Sequence, residues 1–129
     1  MKPAVRNILF ITWDGPQTNY LERLFLPILA GLHDRGYRTH VLQFCWGEPA
    51  QIEARADLCR AAGVPYRAQT ILRFGGAAGP FLTALGGARA IRRAVADWRI
   101  DTLMPRSLLP AFAVLRMKAA ERAALNIVF

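Results

Sequence analysis

Short apolar runs alternate with longer segments of helical periodicity along this chain of 129 residues. Residues 7–13 (NILFITW) are almost continuously apolar, as expected of a strand that is buried on both faces. In the segment that follows, apolar side chains recur at helical spacing, namely Leu21, Leu24, Phe25, Ile28, Leu29 and Leu32. Because strands and helices alternate in this way, we expect a parallel sheet with right-handed helical crossovers.

The first predicted helix has recognisable ends. Asn19 is a suitable N-cap, and Glu22 three residues later completes the pattern of a capping box. Gly36 is expected to end the helix. Pro27 lies between them, and we expect a kink there because proline removes one helical hydrogen bond.

The later elements follow the same alternation. In chain order they are a strand over 38–45, a helix from Pro49 to a stop at Gly63, a strand over 66–72, a glycine-rich loop over 74–80, a helix over 80–98, a strand over 102–106, a helix over 110–122 and a strand over 125–129. The inner face of the second helix is assigned to Ile52, Ala56 and Cys59. That of the third helix is assigned to Phe81, Leu82, Leu85, Ala88, Ile91, Val95 and Trp98.

The pattern indicates one domain, since neither an internal repeat nor a linker is visible. The fold class is therefore α/β, a Rossmann-like parallel sheet with helices on both faces. The printed sequence ends on an apolar strand, from which we expect a fold that is incomplete at its C-terminus.

Composition adds an excess of positive charge. The net charge is +8, and arginine supplies most of the basic residues. Such a charge attracts phosphate-bearing ligands or an anionic membrane surface. The third helix carries a candidate basic face, with a solvated helix face as the alternative: Arg89, Arg92, Arg93 and Arg99. No aromatic residues interleave with a basic stripe, so we expect no nucleic-acid partner.

Cysteines and histidines offer little chemistry. Cys45 and Cys59 lack metal-ligand spacing and are expected to be buried thiols in a reducing compartment. His33 and His40 are isolated from each other and are expected to be structural. We therefore predict neither a metal nor a cofactor. The apolar run over 8–13 is too short for a signal peptide or a membrane span, which favours a cytoplasmic location.

The loop over residues 13–20 (WDGPQTNY) is the leading candidate for a ligand site. It joins the first strand to a helix N-terminus, and parallel sheets bind ligands beyond the carboxyl ends of their strands. The loop lacks the glycine patterns of dinucleotide-binding proteins and of P-loop nucleotidases. A plain turn capped by Asp14 and Asn19 is the alternative interpretation.

Two segments resemble the N-terminal domain of bacterial family 4 (group 1) glycosyltransferases. Residues 7–44 show that family's opening strand, loop, long helix, G-Y turn and second strand. Residues 101–110 (DTLMPRSLLP) are similar to its fourth strand and the turn that follows. Together the two segments cover about a third of the chain, and the remainder agrees in the order of elements.

This resemblance implies a GT-B architecture, in which two Rossmann-like domains face each other across a cleft. The chain would be the N-terminal, acceptor-side domain, and the donor-binding C-terminal domain would be its partner. The substrates would be a nucleotide-sugar donor and a saccharide or lipid-linked acceptor, as in polysaccharide biosynthesis. The enzyme would be cytoplasmic and possess a peripheral contact with the inner membrane face, and residues 1–129 alone would be inactive.

Carried over residue by residue, the resemblance places Asp14, Gly15 and Pro16 in the cleft, together with Asn19. Arg106 and Ser107 stand where many relatives have a histidine and a serine. Arg106 cannot act as a base, because guanidinium does not titrate in the accessible range, but it can clamp an anionic acceptor or a donor phosphate. The catalytic residues are not assigned by the resemblance.

Two other classes of protein remain open from the sequence. One is a stand-alone flavodoxin-like or receiver-like binding module, which requires the strand order 2-1-3-4-5. The glycosyltransferase interpretation instead requires 3-2-1-4-5, because the first loop must lie where the strand order reverses. The other class is a non-catalytic subunit that pairs with a separate donor-binding chain.

Overall fold

The fold is a five-stranded, all-parallel sheet covered by helices. The computed structural model describes residues 3–71, 76 and 78–129. The strands, in chain order, are β1 (Asn7–Asp14), β2 (Arg38–Cys45), β3 (Tyr66–Thr70), β4 (Thr102–Pro105) and β5 (Asn126–Ile127). The helices are α1 (Leu26–Asp34), α2 (Pro49–Ala61), α3 (Ala78–Trp98), α4 (Leu108–Leu115) and α5 (Ala119–Ala123).

The strand order is β3-β2-β1-β4-β5, as the sequence predicted. The chain moves outward from β1 to β3, returns to pair β4 with β1, and then moves outward to β5. Strand order therefore reverses between β1 and β4, and the loops that follow these two strands flank the switch point. The flavodoxin-like order is excluded.

Both faces of the sheet are buried. Neighbouring residues of β1 point to opposite sides and so belong to different clusters. Leu9 and Ile11 belong to a cluster that includes Ile91 of α3 and Val114 of α4. Phe10 belongs to a second cluster, which α1 and α2 cover with Leu29 and Cys59, among others. The apolar run over 7–13 is thus a doubly covered strand, as predicted.

The first helical segment differs from its prediction. It opens with a π-helical turn, Leu21–Phe25, and α1 begins only at Leu26. Pro27 therefore lies at the start of α1, directly after this turn, and the helical hydrogen-bond pattern changes from π to α next to the proline. The predicted Asn19 cap is wrong, since Tyr20 is the N-cap and no side chain caps the segment. Glu22 does not complete a capping box, because its carboxylate binds Arg55 of α2.

Several element bounds also differ. The predicted fourth helix is two helices, α4 and α5, because the buried Met117 and the following Lys118 interrupt it. On α2 the fully buried positions are Arg55 and Cys59, whereas the predicted Ile52 and Ala56 are only partly buried. On α3, Phe81 and Leu82 are exposed rather than inward-facing.

Other bounds shift less. β4 ends one residue before Arg106, α3 begins two residues before Pro80, and β5 is shorter than the predicted strand over 125–129. Leu72, the loop residues 74, 75 and 77, and the side chain of Leu85 were part of sequence predictions and lie outside the described residues. Among the residues that are described, no helix is long and apolar enough to cross a membrane.

Candidate functional site at the carboxyl edge of β1 and β4

Asp14 and Arg106 meet at the switch point of the sheet. Asp14 is the last residue of β1, and Arg106 directly follows β4. The backbone N–H of Arg106 donates to the carbonyl of Ile11 at 2.8 Å, which fixes the end of β4 against β1. Nη1 of Arg106 then lies 3.7 Å from Oδ1 of Asp14. Two of the predicted site residues are therefore brought together.

The Asp14 carboxylate is buried, with a relative exposure of 3%. Its Oδ2 atom accepts two hydrogen bonds, from the Thr12 hydroxyl and from Nε2 of Gln43, each at 2.8 Å. A buried carboxylate requires such donors because it has lost its water. Asp14 thus belongs to the floor of the site, and its contacts with protein groups replace the predicted loop cap.

Arg106 is more accessible, since 31% of its side chain is exposed. Its guanidinium carbon lies 4.6 Å from the centre of the Phe25 ring and 5.2 Å from that of Tyr20. Arginine stacks well on aromatic faces, and this packing orients the group without consuming its hydrogen-bond donors. Arg106 therefore presents a partly exposed positive charge at the carboxyl edge of the sheet.

Ser107 adopts an unusual backbone conformation next to Arg106. Its φ of 73° and ψ of 175° lie in a region that is essentially reserved for glycine. The residue is exposed and precedes α4 as its N-cap, without a side-chain capping bond. Strain of this kind, about 1–3 kcal/mol, occurs preferentially at ligand-binding and catalytic sites.

Gly15 and Pro16 pack against the loop that follows β2. A Cβ atom built on Gly15 would lie 2.9 Å from Cζ2 of the Trp46 ring. Gly47 has a φ of +127°, and a Cβ atom there would lie 2.8 Å from Cβ of Pro16. The missing Cβ of Gly15 therefore makes room for the Trp46 ring. Asn19 is exposed and makes no side-chain cap.

An open cavity of about 350 Å³ lies beside these loops. It is lined by Gly15, Pro16, Gln17, Thr18 and Trp46. The turn is closed by a bond from the Thr18 N–H to the Gly15 carbonyl at 3.2 Å. The cavity therefore combines one aromatic side chain with the polar side chains of Gln17 and Thr18.

Exposed apolar side chains surround this edge. Tyr20, Phe81 and Leu108 are exposed by 53%, 52% and 81%, respectively. At the last strand, Val128 and Phe129 are also exposed. Exposed apolar side chains also lie on the helices, at Leu24, Ile28, Leu58 and Leu115.

The predicted basic face is present on α3, away from the Asp14 edge. Arg89, Arg92 and Arg93 are exposed on this helix, while Arg99 lies just beyond its end. Two grooves run beside α3, and Arg89 lines both of them. Arg92 pairs with Glu121, whereas no described carboxylate pairs with Arg89 or Arg93.

The histidines and cysteines are structural, as predicted. Nε2 of His33 accepts from the Thr39 N–H at 3.3 Å, and Nδ1 of His40 lies 3.1 Å from the Ile8 carbonyl. Burial lowers the pKa of His40. Cys45 and Cys59 are buried free thiols, and burial raises the pKa of Cys59 to about 11.

Four residues beneath the site were missed from the sequence: Glu22, Gln43, Arg55 and Tyr66. Gln43 is fully buried, and its Oε1 accepts from Nη1 of Arg55 at 2.9 Å and from the Tyr66 hydroxyl at 2.6 Å. One signal was available for Gln43, since it is a polar residue inside the otherwise apolar end of β2. Arg55 carried no such signal, because an arginine on a helix normally faces water.

A solved structure with a similar fold is a glycosyltransferase from Rickettsia africae ESF-5. The two share 15% sequence identity with a TM-score of 0.61, and the match covers 95% of this chain and 28% of that chain. No protein-family model matches the sequence, and the comparison with curated proteins gives no match. This chain thus has a glycosyltransferase-like, Rossmann-like α/β fold, and it spans little more than a quarter of the length of the similar structure.

Proposed function

We propose that this chain is the N-terminal, acceptor-side domain of a GT-B glycosyltransferase, similar to family 4. Together with a donor-binding domain, it transfers a sugar from a nucleotide-sugar donor to a saccharide or lipid-linked acceptor. The observation that carries this proposal is the meeting of Asp14 and Arg106 at the switch point of a sheet with the order 3-2-1-4-5. Ligands of open parallel sheets bind at this position.

The proposed role of Arg106 follows from its charge and its surroundings. A guanidinium that is held on aromatic rings, with part of its surface exposed, is suited to binding a phosphate or carboxylate in a bidentate manner. In the proposed reaction this group is the donor diphosphate or an anionic acceptor. Ser107 and the loop at Gly15 and Pro16 line the same edge, and Asp14 orients Arg106 from below.

The exposed apolar side chains support a second domain at this edge. Tyr20, Phe81 and Leu108 lie where the donor-binding domain of a GT-B enzyme would face the strand carboxyl ends. Surface of this kind commonly marks an interaction site. Closure of the two domains would hold donor and acceptor in the geometry that transfer requires.

We infer a cytoplasmic location with a peripheral contact at the inner membrane face. The two buried free thiols are consistent with a reducing compartment. The arginines of α3 form the candidate contact with anionic lipid headgroups.

The experiment that tests the proposed activity is a transfer assay with the complete gene product. Labelled UDP- and GDP-hexoses are supplied one at a time, together with a saccharide and lipid extract of the source cells as acceptor. We expect label to move from one donor to an extractable product. Absence of transfer from every donor tested contradicts the proposal.

A further inference from the structure

A chain of buried polar side chains runs beneath the candidate site. It lies on the sheet face that α1 and α2 cover, which is otherwise apolar. The register of β1 and β2 sets Thr12 opposite Gln43, two residue pairs before Asp14 and Cys45. Arg55 of α2 and Glu22 of the π-helical turn cover these strands from above.

Arg55 and Asp14 together fix the direction of the hydrogen bonds through Gln43, since a carboxylate only accepts. A guanidinium has donors and no acceptor, so whatever it touches must accept. Its Nε donates to Glu22 at 2.5 Å, and its Nη1 donates to Oε1 of Gln43 at 2.9 Å. Gln43 must therefore turn its carbonyl toward Arg55, and its NH₂ group is left to donate to Asp14.

The consequence reaches Asp14. Because Gln43 and Thr12 both donate to Oδ2, the other oxygen, Oδ1, faces Arg106. The charged groups then alternate in sign from Glu22 through Arg55 and Asp14 to Arg106, and they cancel in pairs. Of these four groups, Arg106 is the most exposed, and it stands at the carboxyl edge of the sheet.

Tyr66 has a different role from Arg55, although both donate to the same oxygen. Burial raises the pKa of the Tyr66 phenol, so the hydroxyl stays protonated and donates to Gln43 at 2.6 Å. A hydroxyl can also accept, however, and would tolerate Gln43 in the reversed orientation. Arg55 cannot accept a hydrogen bond. Of the two groups that donate to Oε1, it is therefore the one that does not tolerate the reversed Gln43.

We propose that Arg55 is a positioning residue which, through Gln43, orients the Asp14 carboxylate so that Oδ1 holds the Arg106 guanidinium at the ligand-binding edge. This inference rests on the proposed function for the claim that Arg106 binds an anionic group. Stability alone does not account for the arrangement, because buried ion pairs can often be replaced by apolar residues at little cost.

The test uses the double variant Glu22→Gln with Arg55→Met, which removes the donor to Gln43 without leaving a buried unpaired charge. Tyr66→Phe is the matched control, since it also removes one hydrogen bond to Gln43. Inorganic pyrophosphate serves as the probe. The readouts are the NMR signals of the Gln43 side-chain amide and of the Arg106 Nε–H, and the affinity for pyrophosphate by calorimetry.

We expect the double variant to shift both NMR signals and to bind pyrophosphate about tenfold more weakly, the equivalent of one lost charge-assisted hydrogen bond. Tyr66→Phe should stay within about twofold of the parent chain in affinity. If the double variant does not fold, Arg55→Lys keeps the charge beside Glu22, removes the forked donor and is measured in the same way.

Unchanged Gln43 and Arg106 signals in a folded variant overturn the positioning role, whatever the affinity. An equal loss of affinity in Tyr66→Phe also overturns it, because the effect would then be general to the network. If the signals shift as expected but the parent chain does not bind pyrophosphate, the orienting effect of Arg55 is supported and the anion-binding role of Arg106 in the proposed function fails.

Discussion

Asp14 and Arg106 come from the ends of two neighbouring strands, and their facing atoms lie 3.7 Å apart at the switch point of the sheet. Asp14 is buried and bonded on one oxygen, whereas Arg106 rests on two aromatic rings and is partly exposed. The buried carboxylate is thus held by protein groups, whereas the guanidinium opposite it keeps part of its surface accessible.

The first prediction concerns Gly15 and Trp46. Gly15→Ala should lower the free energy of unfolding by about 1 kcal/mol, because the new Cβ collides with the Trp46 ring. In a chain that already carries Trp46→Leu, the Gly15→Ala change should cost much less. Chemical denaturation of the four members of this mutant cycle gives the coupling between the two positions.

Gly31→Ala is the matched control, since a Cβ at Gly31 meets nothing within 4 Å and the residue lies in α1. It should be neutral or stabilising, as alanine favours a helix. If Gly15→Ala were equally harmless, the close contact with Trp46 would be refuted.

The second prediction concerns the backbone at Ser107. Ser107→Gly should raise the free energy of unfolding by about 1 kcal/mol, because relief of strain exceeds the entropic cost of glycine. Ser107→Ala keeps the Cβ and should bring no such gain. Thermal melts of the three proteins decide the matter, and a destabilised glycine variant would show that this conformation is unstrained.

The third prediction is a pH dependence of stability from His40. Burial lowers the pKa of His40 in the folded chain below its ordinary value of 6.5. At a pH between the folded and the ordinary pKa, the unfolded chain therefore binds more protons than the folded chain. The contribution is present above about pH 6.5 and declines as the pH falls toward the folded pKa. The charged neighbours that act on this ring are His33 and Arg38, and both oppose its protonation.

His40→Phe keeps an aromatic ring against Trp98. The centroids of the His40 and Trp98 rings lie 5.2 Å apart. We expect the unfolding free energy of the parent chain to fall more steeply than that of this variant between pH 7 and about pH 5, measured by urea denaturation. Parallel pH profiles for the two proteins would rule out a lowered pKa.

The fourth prediction concerns the basic face of α3. The chain should sediment with phosphatidylglycerol vesicles at low salt and remain free of phosphatidylcholine vesicles. Replacing Arg89 and Arg93 by glutamine should weaken binding about tenfold or more, at about 1 kcal/mol for each arginine near the surface.

A control of equal charge replaces Arg23 and Arg35, which are exposed around α1 on the other side of the sheet. This control should bind nearly as well as the parent chain. Equal weakening of both variants would mean that net charge, rather than the α3 face, drives binding.

The sequence was sufficient for the sheet and for most helices. The run at residues 7–13 and the apolar β2 identify strands buried on both faces, and their alternation with helices predicts a parallel sheet. The order 3-2-1-4-5 was predicted from the resemblance to glycosyltransferases, and the structure has this order. The start of the first helix was predicted wrongly, because tertiary contacts overrode the preference of Asn19 for N-cap positions. Glu22 pairs with Arg55 instead of with the backbone.

The candidate site could be predicted only in outline. Asp14 and Arg106 were named from the ends of two strands, and the fold brings them together. The burial of Asp14 and the network through Gln43 and Arg55 could not be read from the sequence, since buried polar residues depend on partners that are distant in the chain. Gly15 was assigned to the cleft by the resemblance, and its close contact with Trp46 could not be predicted.

The most direct measurement is the rate of sugar transfer by the complete gene product with Arg106→Gln, compared with Arg60→Gln. Arg60 is an exposed arginine on α2, and its only described ion pair is with Asp57. We predict that Arg106→Gln lowers transfer about 100-fold, as expected when a charged donor to a phosphate is lost, with little change in melting temperature. Arg60→Gln should transfer at the parental rate. Equal rates for the two variants would contradict a ligand-binding site at Asp14 and Arg106.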